Sequence, residues 1–413
     1  MAGYIQRIKT KIPYSTREID IDLRGRNLIL TGGNGCGKTQ LLNFLYEDLV
    51  NSIVEKRNDD KEELISTINH YDGLLNTTSR SNSSYDGYLY TYTEFKRRLE
   101  RLNNSPFILS GLEGFVIRYS EQKAILTKFE ATRQANIQAS QSAISKDSLK
   151  QQEANSGRGS STAILFEQYL VSHKTSQAYA ESASIDNDPD EANKIKAWFD
   201  KLEIDLKELF ENNSLRLHFD SKLQAFFIQQ DNKEPYRFQQ LSSGFSSILS
   251  VYADLLTKVE LRSISPNEID GVVFIDEIDA HLHVSLQRKI FSFLKNAFPK
   301  VQFIVTTHSP FVVSSVDDAV IYDLSTLEQV DDLSMYSYES ILEGLFNVLP
   351  TSEILKNKIL KINELAISDE PDVIELEHLV KSVSQYEDKL DEESAYFLKS
   401  ARLVINKSKN KGA

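Results

Sequence analysis

The stretch LILTGGNGCGKTQLLNFLYEDLV, from Leu28 to Val50, restricts the possible folds more than any other part of the chain. An apolar run enters a glycine-rich turn. The turn leaves through Lys38-Thr39 into a segment with Leu41, Leu42, Leu45 and Leu49 on one side. This pattern predicts a strand, a tight turn and an amphipathic helix in immediate succession. Gly32-Gly33-Asn34-Gly35-Cys36-Gly37-Lys38-Thr39 has the spacing G-x-x-x-x-G-K-T, a P-loop. Its glycines let backbone N–H groups turn inward around phosphate oxygens, and the following helix offers its positive end to the same anion. Lys38 is expected to reach the β- and γ-phosphates of a nucleotide, and Thr39 to ligate Mg²⁺. Cys36, the single cysteine, is expected to fill space in the turn, with a redox-sensitive thiol as the alternative.

A second segment supplies carboxylates. Val272-Val273-Phe274-Ile275-Asp276-Glu277 carries four apolar residues to the end of a strand and stops at two acids. Asp276 is expected to hold Mg²⁺ through water, and Glu277 to orient or deprotonate an attacking water. The plainer reading is a strand closed by a solvated acidic turn. Leu241-Ser242-Ser243-Gly244 precedes the apolar helix SSILSVYADLL, where Ser242 or Ser243 could be an ordinary N-cap. Thr307-His308-Ser309-Pro310 follows the apolar run VQFIVT. His308 then stands beyond a strand adjacent to the carboxylate strand, where a γ-phosphate sensor would have to be.

Between these motifs the chain reads as follows. YIQRIKTK, REIDIDL and NLILTG are short strands. Residues 51–104 are polar and helical in tendency, with a break at NTTSRSNSSYDGY. FVIRYS (115–120) reads as a strand, and residues 131–163, which include NSGRGSS, as a mobile or loosely helical insertion. Asp188-Pro189 starts a helix as N-cap and first residue, and Ile195, Trp198, Phe199, Leu202, Leu206, Leu209 and Phe210 recur along it at core-packing spacing. LRLHFD and AFFIQQ are strands. GVVFIDE and VQFIVTTH are continuous apolar runs suited to buried parallel strands. The last 90 or so residues read as amphipathic helices.

The order P-loop, long insertion, LSSG, carboxylate strand, DAHLH, THSP resembles the ABC-type ATPase head. More narrowly it resembles the branch of SMC-like, RecF-like and OLD-family ATPases. FIDEIDAHLHVSLQRKIFSFLKNAFPKVQFIVTTHSP is the most specific stretch. It is similar to the ATPase subunits of bacterial antiphage systems such as Septu and PARIS. The resemblance implies an α/β fold with a mixed central sheet. Residues 1–50 and 215–325 would form a split head, 51–214 a largely helical insertion with some head strands, and 326–413 a helical extension able to dock a partner. It also implies ATP and Mg²⁺ held between two heads. Ser242 and Gly244 would then contact the γ-phosphate in trans, with Ser243 beside them. Asp279 would lie in the loop connecting the two sites, and His308 would be the switch histidine. Gln122, in RYSEQKA, is the candidate for the Mg²⁺-coupled glutamine. Ser243 and Phe245 replace the Gly and Gln common in ABC signatures, and Val284 stands where related ATPases often have Pro.

Composition limits the partners. A net charge of -13 confines any DNA contact to a local patch, for which Lys96, Arg97, Arg98 and Arg101 are the candidates against a solvated helix face. One cysteine excludes a disulfide framework and a Cys-based zinc site. Asp279, His281 and His283 alternate as if to bind a metal, but no third well-placed ligand set is evident. No apolar run approaches the ~20 residues of a membrane span, and no signal-peptide core opens the sequence, so a cytoplasmic protein is expected. Neither a Toprim-like acidic set nor an HNH-like histidine cluster follows THSP. The leading expectation is therefore an ATPase homo-oligomer, a dimer or higher. It would gate a separate nuclease or toxin effector in antiphage defence, with a phage protein as a candidate trigger. Alternatives are an ATPase acting on DNA ends and a non-catalytic scaffold that binds ATP.

Overall fold

The strand that feeds the glycine-rich turn is buried on both faces, and so are the two apolar runs read as parallel strands. Such strands need a layer on each side of the sheet, which fixes the architecture as α/β. The computed structural model describes residues 3–54, 61–80, 82–103, 105–155, 161–331, 333, 336, 338–345, 353–368, 372–387, 390 and 392–411. The chain divides into two units, Met1–Tyr336 and Ser337–Ala413.

The first unit opens with β1 (Ile5–Lys11), β2 (Glu18–Asp22), β3 (Asn27–Thr31) and α1 (Lys38–Leu49). A π-helical turn at Val50–Val54 leads to the helical pair α2 (Lys61–Thr77) and α3 (Tyr85–Asn103), then β4 (Phe107–Leu109), α4 (Leu112–Ser120) and β5 (Ala124–Phe129). Next come α5 (Lys146–Asn155), α6 (Phe166–Glu181), α7 (Pro189–Leu209), β6 (Arg216–Asp220), β7 (Ala225–Gln229) and α8 (Ser243–Leu261). The unit closes with β8 (Asp270–Ile275), α9 (Val284–Gln287), α10 (Ile290–Ala297), β9 (Lys300–Thr306), α11 (Pro310–Val313), β10 (Ala319–Asp323) and β11 (Glu328–Asp331).

The central sheet has the order β11-β10-β3-β9-β8-β5. All its pairs are parallel except the β10–β11 edge. A smaller antiparallel sheet, β2-β1-β4, lies beyond α1. Leu28, Leu30, Val272, Phe274 and Ile304 on one face of the central sheet join Leu41, Leu42 and Leu45 of α1 and Ile5, Ile8, Ile19 and Ile21 of the small sheet in one core. The alternate residues Ile29, Val273, Ile275, Phe303 and Val305 are equally buried on the other face, where Phe291 of α10 meets Phe303 at 6.3 Å. Gln302 ties the two sheets together: its amide accepts from Ile5 N at 2.9 Å and donates to the carbonyls of Ile5 and Arg26 at 3.0 and 2.7 Å.

Behind the sheet, α6, α7 and α8 pack together with the β6–β7 hairpin. Glu260 of α8 accepts from Tyr169 Oη and Trp198 Nε1, both at 2.8 Å, and so joins all three helices. Asp188 caps α7, with Pro189 as its first residue. In the second unit, after α12 (Tyr338–Gly344), come α13 (Glu353–Ile367), α14 (Val373–Ser384) and α15 (Glu392–Lys411). The last three enclose their own core of Ile359, Ile362, Leu376, Val380, Val383, Leu398, Ala401 and Ile405.

Three sequence expectations are corrected. FVIRYS is the body of α4, not a strand. Its β-branched and aromatic residues mimic a strand, but burial follows a helical stripe with Phe115 inward, and the true strand is β5 nine residues later. Residues 131–145 are not a loose insertion. Arg133, Ala135 and Ile137 are buried in alternation, Ser140 is buried beyond them, and Gln138 N donates to Ile164 O. Residues 156–160, most of NSGRGSS, lie outside the described residues. Finally, the boundary expected at 325 moves to 336, because β11 completes the central sheet by pairing with β10.

Candidate nucleotide site

Parallel strands all end at the same edge, so β3, β8 and β9 deliver their C-terminal residues side by side. That register brings the glycine-rich turn, the two carboxylates and the THSP segment together. The turn spans residues 32–37 between β3 and α1. Gly37 is the N-cap of α1 at φ 101, where a Cβ would lie 2.7 Å from Ile12 Cγ2, so only glycine fits. Lys38 is buried, and its ammonium donates to Gly32 O at 2.8 Å and Gly33 O at 3.0 Å, with Cys36 Sγ at 3.7 Å. Cys36 is half-buried within the turn. Gly33 N donates to Ser325 Oγ at 2.8 Å, which ties the turn to the end of β10. Asn34 and Gly35 form its exposed tip.

Asp276 stands at the centre. Its carboxylate accepts from Thr39 Oγ1 at 2.9 Å on one oxygen and from Thr306 Oγ1 at 2.6 Å on the other. Thr306 Oγ1 in turn accepts from Glu277 N at 2.7 Å. One threonine at the end of β9 therefore orders both acids. Glu277 adopts φ 45, a left-handed conformation that is strained for a residue other than glycine and asparagine-like types. Asp279 accepts from Thr307 Oγ1 at 2.5 Å, and Ser309 N donates to the same hydroxyl at 2.9 Å. His308 follows, half-buried. Burial pushes its pKa below the ordinary histidine value, and the positive charge of Lys38 pushes it the same way. The ring is therefore biased toward its neutral form.

Ser242 is the N-cap residue of α8, but its side chain makes no cap bond. Ser242 and Ser243 are exposed. Gly244 packs so closely on the DAHLH turn that a Cβ would lie 2.7 Å from His281 O. His281 is itself left-handed at φ 64. His283 caps α9 and pairs with Ser285 Oγ at 3.0 Å. Asp279, His281 and His283 thus serve three separate tasks, and among the described residues no group of three or more His, Cys, Asp or Glu is arranged to hold a metal ion.

Gln122 is not brought to this edge. It is exposed, before the start of β5, and the six-residue strand places it roughly 20 Å from the carboxylate end. Its candidacy depended on FVIRYS being the strand, and that segment is α4. Gln134 lies five residues past the C-terminal end of β5 and is exposed. The residue before it has no counterpart among the sequence expectations. Arg133 is buried, and its guanidinium donates to the carbonyls of Asp276 at 2.8 Å, Glu277 at 3.2 Å, Ile278 at 3.0 Å and Glu130 at 3.1 Å. The available signal is an arginine four residues past an apolar strand, visible only once β5 is placed at residues 124–129.

Comparison with known proteins identifies the family. The family described as "AAA domain, putative AbiEii toxin, Type IV TA system" matches residues 28–314, from the strand before the turn to just past α11. The chain belongs to this AAA-domain family. Curated relatives of this AAA-domain chain include the Septu protein PtuA of Bacillus thuringiensis, 32% identical over 174 residues and covering 40% of each chain. Another is the "Retron Ec83 probable ATPase" of Escherichia coli, 45% identical over 86 residues, 20% of this chain and 16% of that one. A third, the "Retron Vc95 probable ATPase" of Vibrio cholerae, is 29% identical over 151 residues, 36% of this chain and 26% of that one. The chain spans between 16% and 40% of the length of the curated relatives it matches. Among solved structures, the SMC head domain of Thermotoga maritima superposes loosely, with a TM-score of 0.32 and 12% identity over 77% of this chain and 94% of that one.

Proposed function

We propose that the protein binds and hydrolyses ATP with Mg²⁺ in a site shared between two copies, and that it gates a separate nuclease or toxin effector in antiphage defence. The observation that carries the ATPase reading is the bridge from Thr39 through Asp276 to Thr306, with Glu277 N on the same hydroxyl. The residues fit the ligands. A hydroxyl and a carboxylate oxygen 2.9 Å apart suit a hard cation that takes oxygen donors. A glycine turn opening into a helix suits polyphosphate. Bound Mg²⁺ neutralises phosphate charge. Lys38 would leave the turn's carbonyls for the phosphates. Glu277 would accept a proton from a water aimed at the γ-phosphorus as the bond to the β-phosphate oxygen breaks. Neutral His308 can donate one hydrogen bond to the γ-phosphate.

Exposed Ser242 and Ser243, free of capping duty, support a role toward a second copy. The names of the relatives, which include Septu and retron components, support a defence role. DNA action has less support: Arg97 pairs with Glu94, while Lys96 and Arg98 lie over Tyr92 and Phe95 of their own helix. The side chain of Arg101 lies outside the described residues. No described helix is long and apolar enough to cross a membrane.

The decisive experiment pairs two variants. Lys38→Ala should abolish binding of a fluorescent ATP analogue. Glu277→Gln should bind it normally and lose at least about 100-fold in turnover. Normal turnover by Glu277→Gln would refute Glu277 as the base, and a wild type that binds the analogue without turnover would leave a scaffold that binds ATP.

A further inference from the structure

We infer that Arg133 is a positioning residue that couples the first turn of α8 to the Glu277 carboxylate, so that what is held at Ser242-Ser243-Gly244 sets the rate of hydrolysis. The inference rests on the ATPase reading above. Buried arginines normally face carboxylates, because desolvating an unpaired guanidinium is costly. Arg133 instead spends its donors on four backbone carbonyls, three of them consecutive at 276–278. Its planar fork is already organised for several acceptors. Those carbonyls belong to the strained turn in which Glu277 takes φ 45. Thr306 holds the same turn from the other side, through Glu277 N and Ile278 N. The acid therefore sits in a backbone segment clamped by two independent elements.

The far end of the Arg133 segment is fastened as well. Ala135 N donates to both Ser246 O at 3.2 Å and Ser246 Oγ at 3.0 Å. Ser246 lies in the first turn of α8, and its own amide donates to Ser242 O at 2.8 Å. One residue, Gln134, separates Arg133 from Ala135, so the backbone between them spans at most about 7 Å, and the buried guanidinium carries the link on to the carbonyls. A segment this short, pinned at both ends, cannot absorb a shift. Movement of the α8 start would pass to the carbonyls of 276–278 and turn Glu277 toward or away from the water. Both ends of the link lie within one chain, while exposed Ser242 and Ser243 face outward.

The test is a double-mutant cycle on the full chain. Arg133→Lys keeps a buried charge but cannot reach three carbonyls. It should lower kcat by about 30-fold while KM and the affinity for a fluorescent ATP analogue stay within about threefold. Ser246→Ala, which removes one of the two acceptors of Ala135 N, should lower kcat by about fivefold. Because both act through one link, the double variant should be no slower than Arg133→Lys alone. Losses that multiply would overturn the coupling. So would a loss of ATP affinity that parallels the loss in kcat, the mark of a merely structural arginine. If Arg133→Lys does not fold, Ser246→Ala decides alone, and unchanged kcat rejects the proposal. A wild-type protein that does not turn over ATP would instead reject the underlying reading.

Discussion

At the scale of single residues, the site is ordered by hydroxyls more than by charges. Thr306 lies between Asp276 and Glu277, and replacing it with valine keeps the shape but removes both contacts. A lost hydrogen bond to a buried charged group costs about 1.5–3 kcal/mol, so Thr306→Val should slow turnover about 10- to 100-fold, measured by phosphate release. Away from the site, His173 is caged by Tyr169, Trp198 and Phe199. Burial, helped by Lys146, lowers its pKa to about 4. The unfolded chain therefore binds a proton that the native state refuses between the ordinary value and about 4. Stability must fall as pH drops through that window, by roughly 3 kcal/mol from this residue. His173→Phe should remove that part of the pH dependence, and denaturant unfolding at pH 7 and pH 4.5 would reveal the difference. A pH slope identical to the wild type would refute the assignment. The glycine-rich turn, both carboxylates and His308 are legible in the sequence because each is a local motif at a strand end. Arg133 and Thr306 are not, because their importance comes from which strand end lies beside which.

At the scale of elements, the sheet is readable where strands are buried on both faces, since an uninterrupted apolar run has no side to turn toward water. β3, β8 and β9 are legible for this reason. α4 is not, because FVIRYS is short enough for strand and helix periods to coincide. Composition does not separate the two cases; the neighbouring β5, AILTKF, carries as much apolar character and pairs with β8 along its full length. The junction of α8 with the DAHLH turn gives an element-scale prediction. Gly244→Ala would place a methyl 2.7 Å from His281 O, a backbone atom that cannot easily yield. The variant should fold and bind a fluorescent ATP analogue normally, yet lose ATP-dependent self-association by at least tenfold in analytical ultracentrifugation. Retained association would show that this contact is irrelevant to the outward face of α8.

At the scale of the whole molecule, the proposed sharing of the site between two copies makes a complementation prediction. Lys38→Ala disables the phosphate turn of its own copy, and Ser242→Arg disables the surface offered to the other. Each should be inactive alone. Mixed, they should recover a substantial part of wild-type turnover, because one pairing unites an intact turn with an intact α8 start. No recovery at any ratio would mean that the site is complete within one chain.

The strand order β11-β10-β3-β9-β8-β5 also has a consequence for biosynthesis. Both neighbours of β3, the strand that bears the phosphate turn, come from residues 300–323, far behind it in the chain. At about 5–20 residues per second, a ribosome needs tens of seconds to supply them after β3 has emerged. During that interval an apolar strand with two open edges waits for partners. Cofactor binding cannot rescue it early, because Asp276 and Thr306 emerge just as late. The nascent chain should therefore depend on chaperone shielding until β9 is made, and release from that shielding should coincide with the first ability to hold nucleotide.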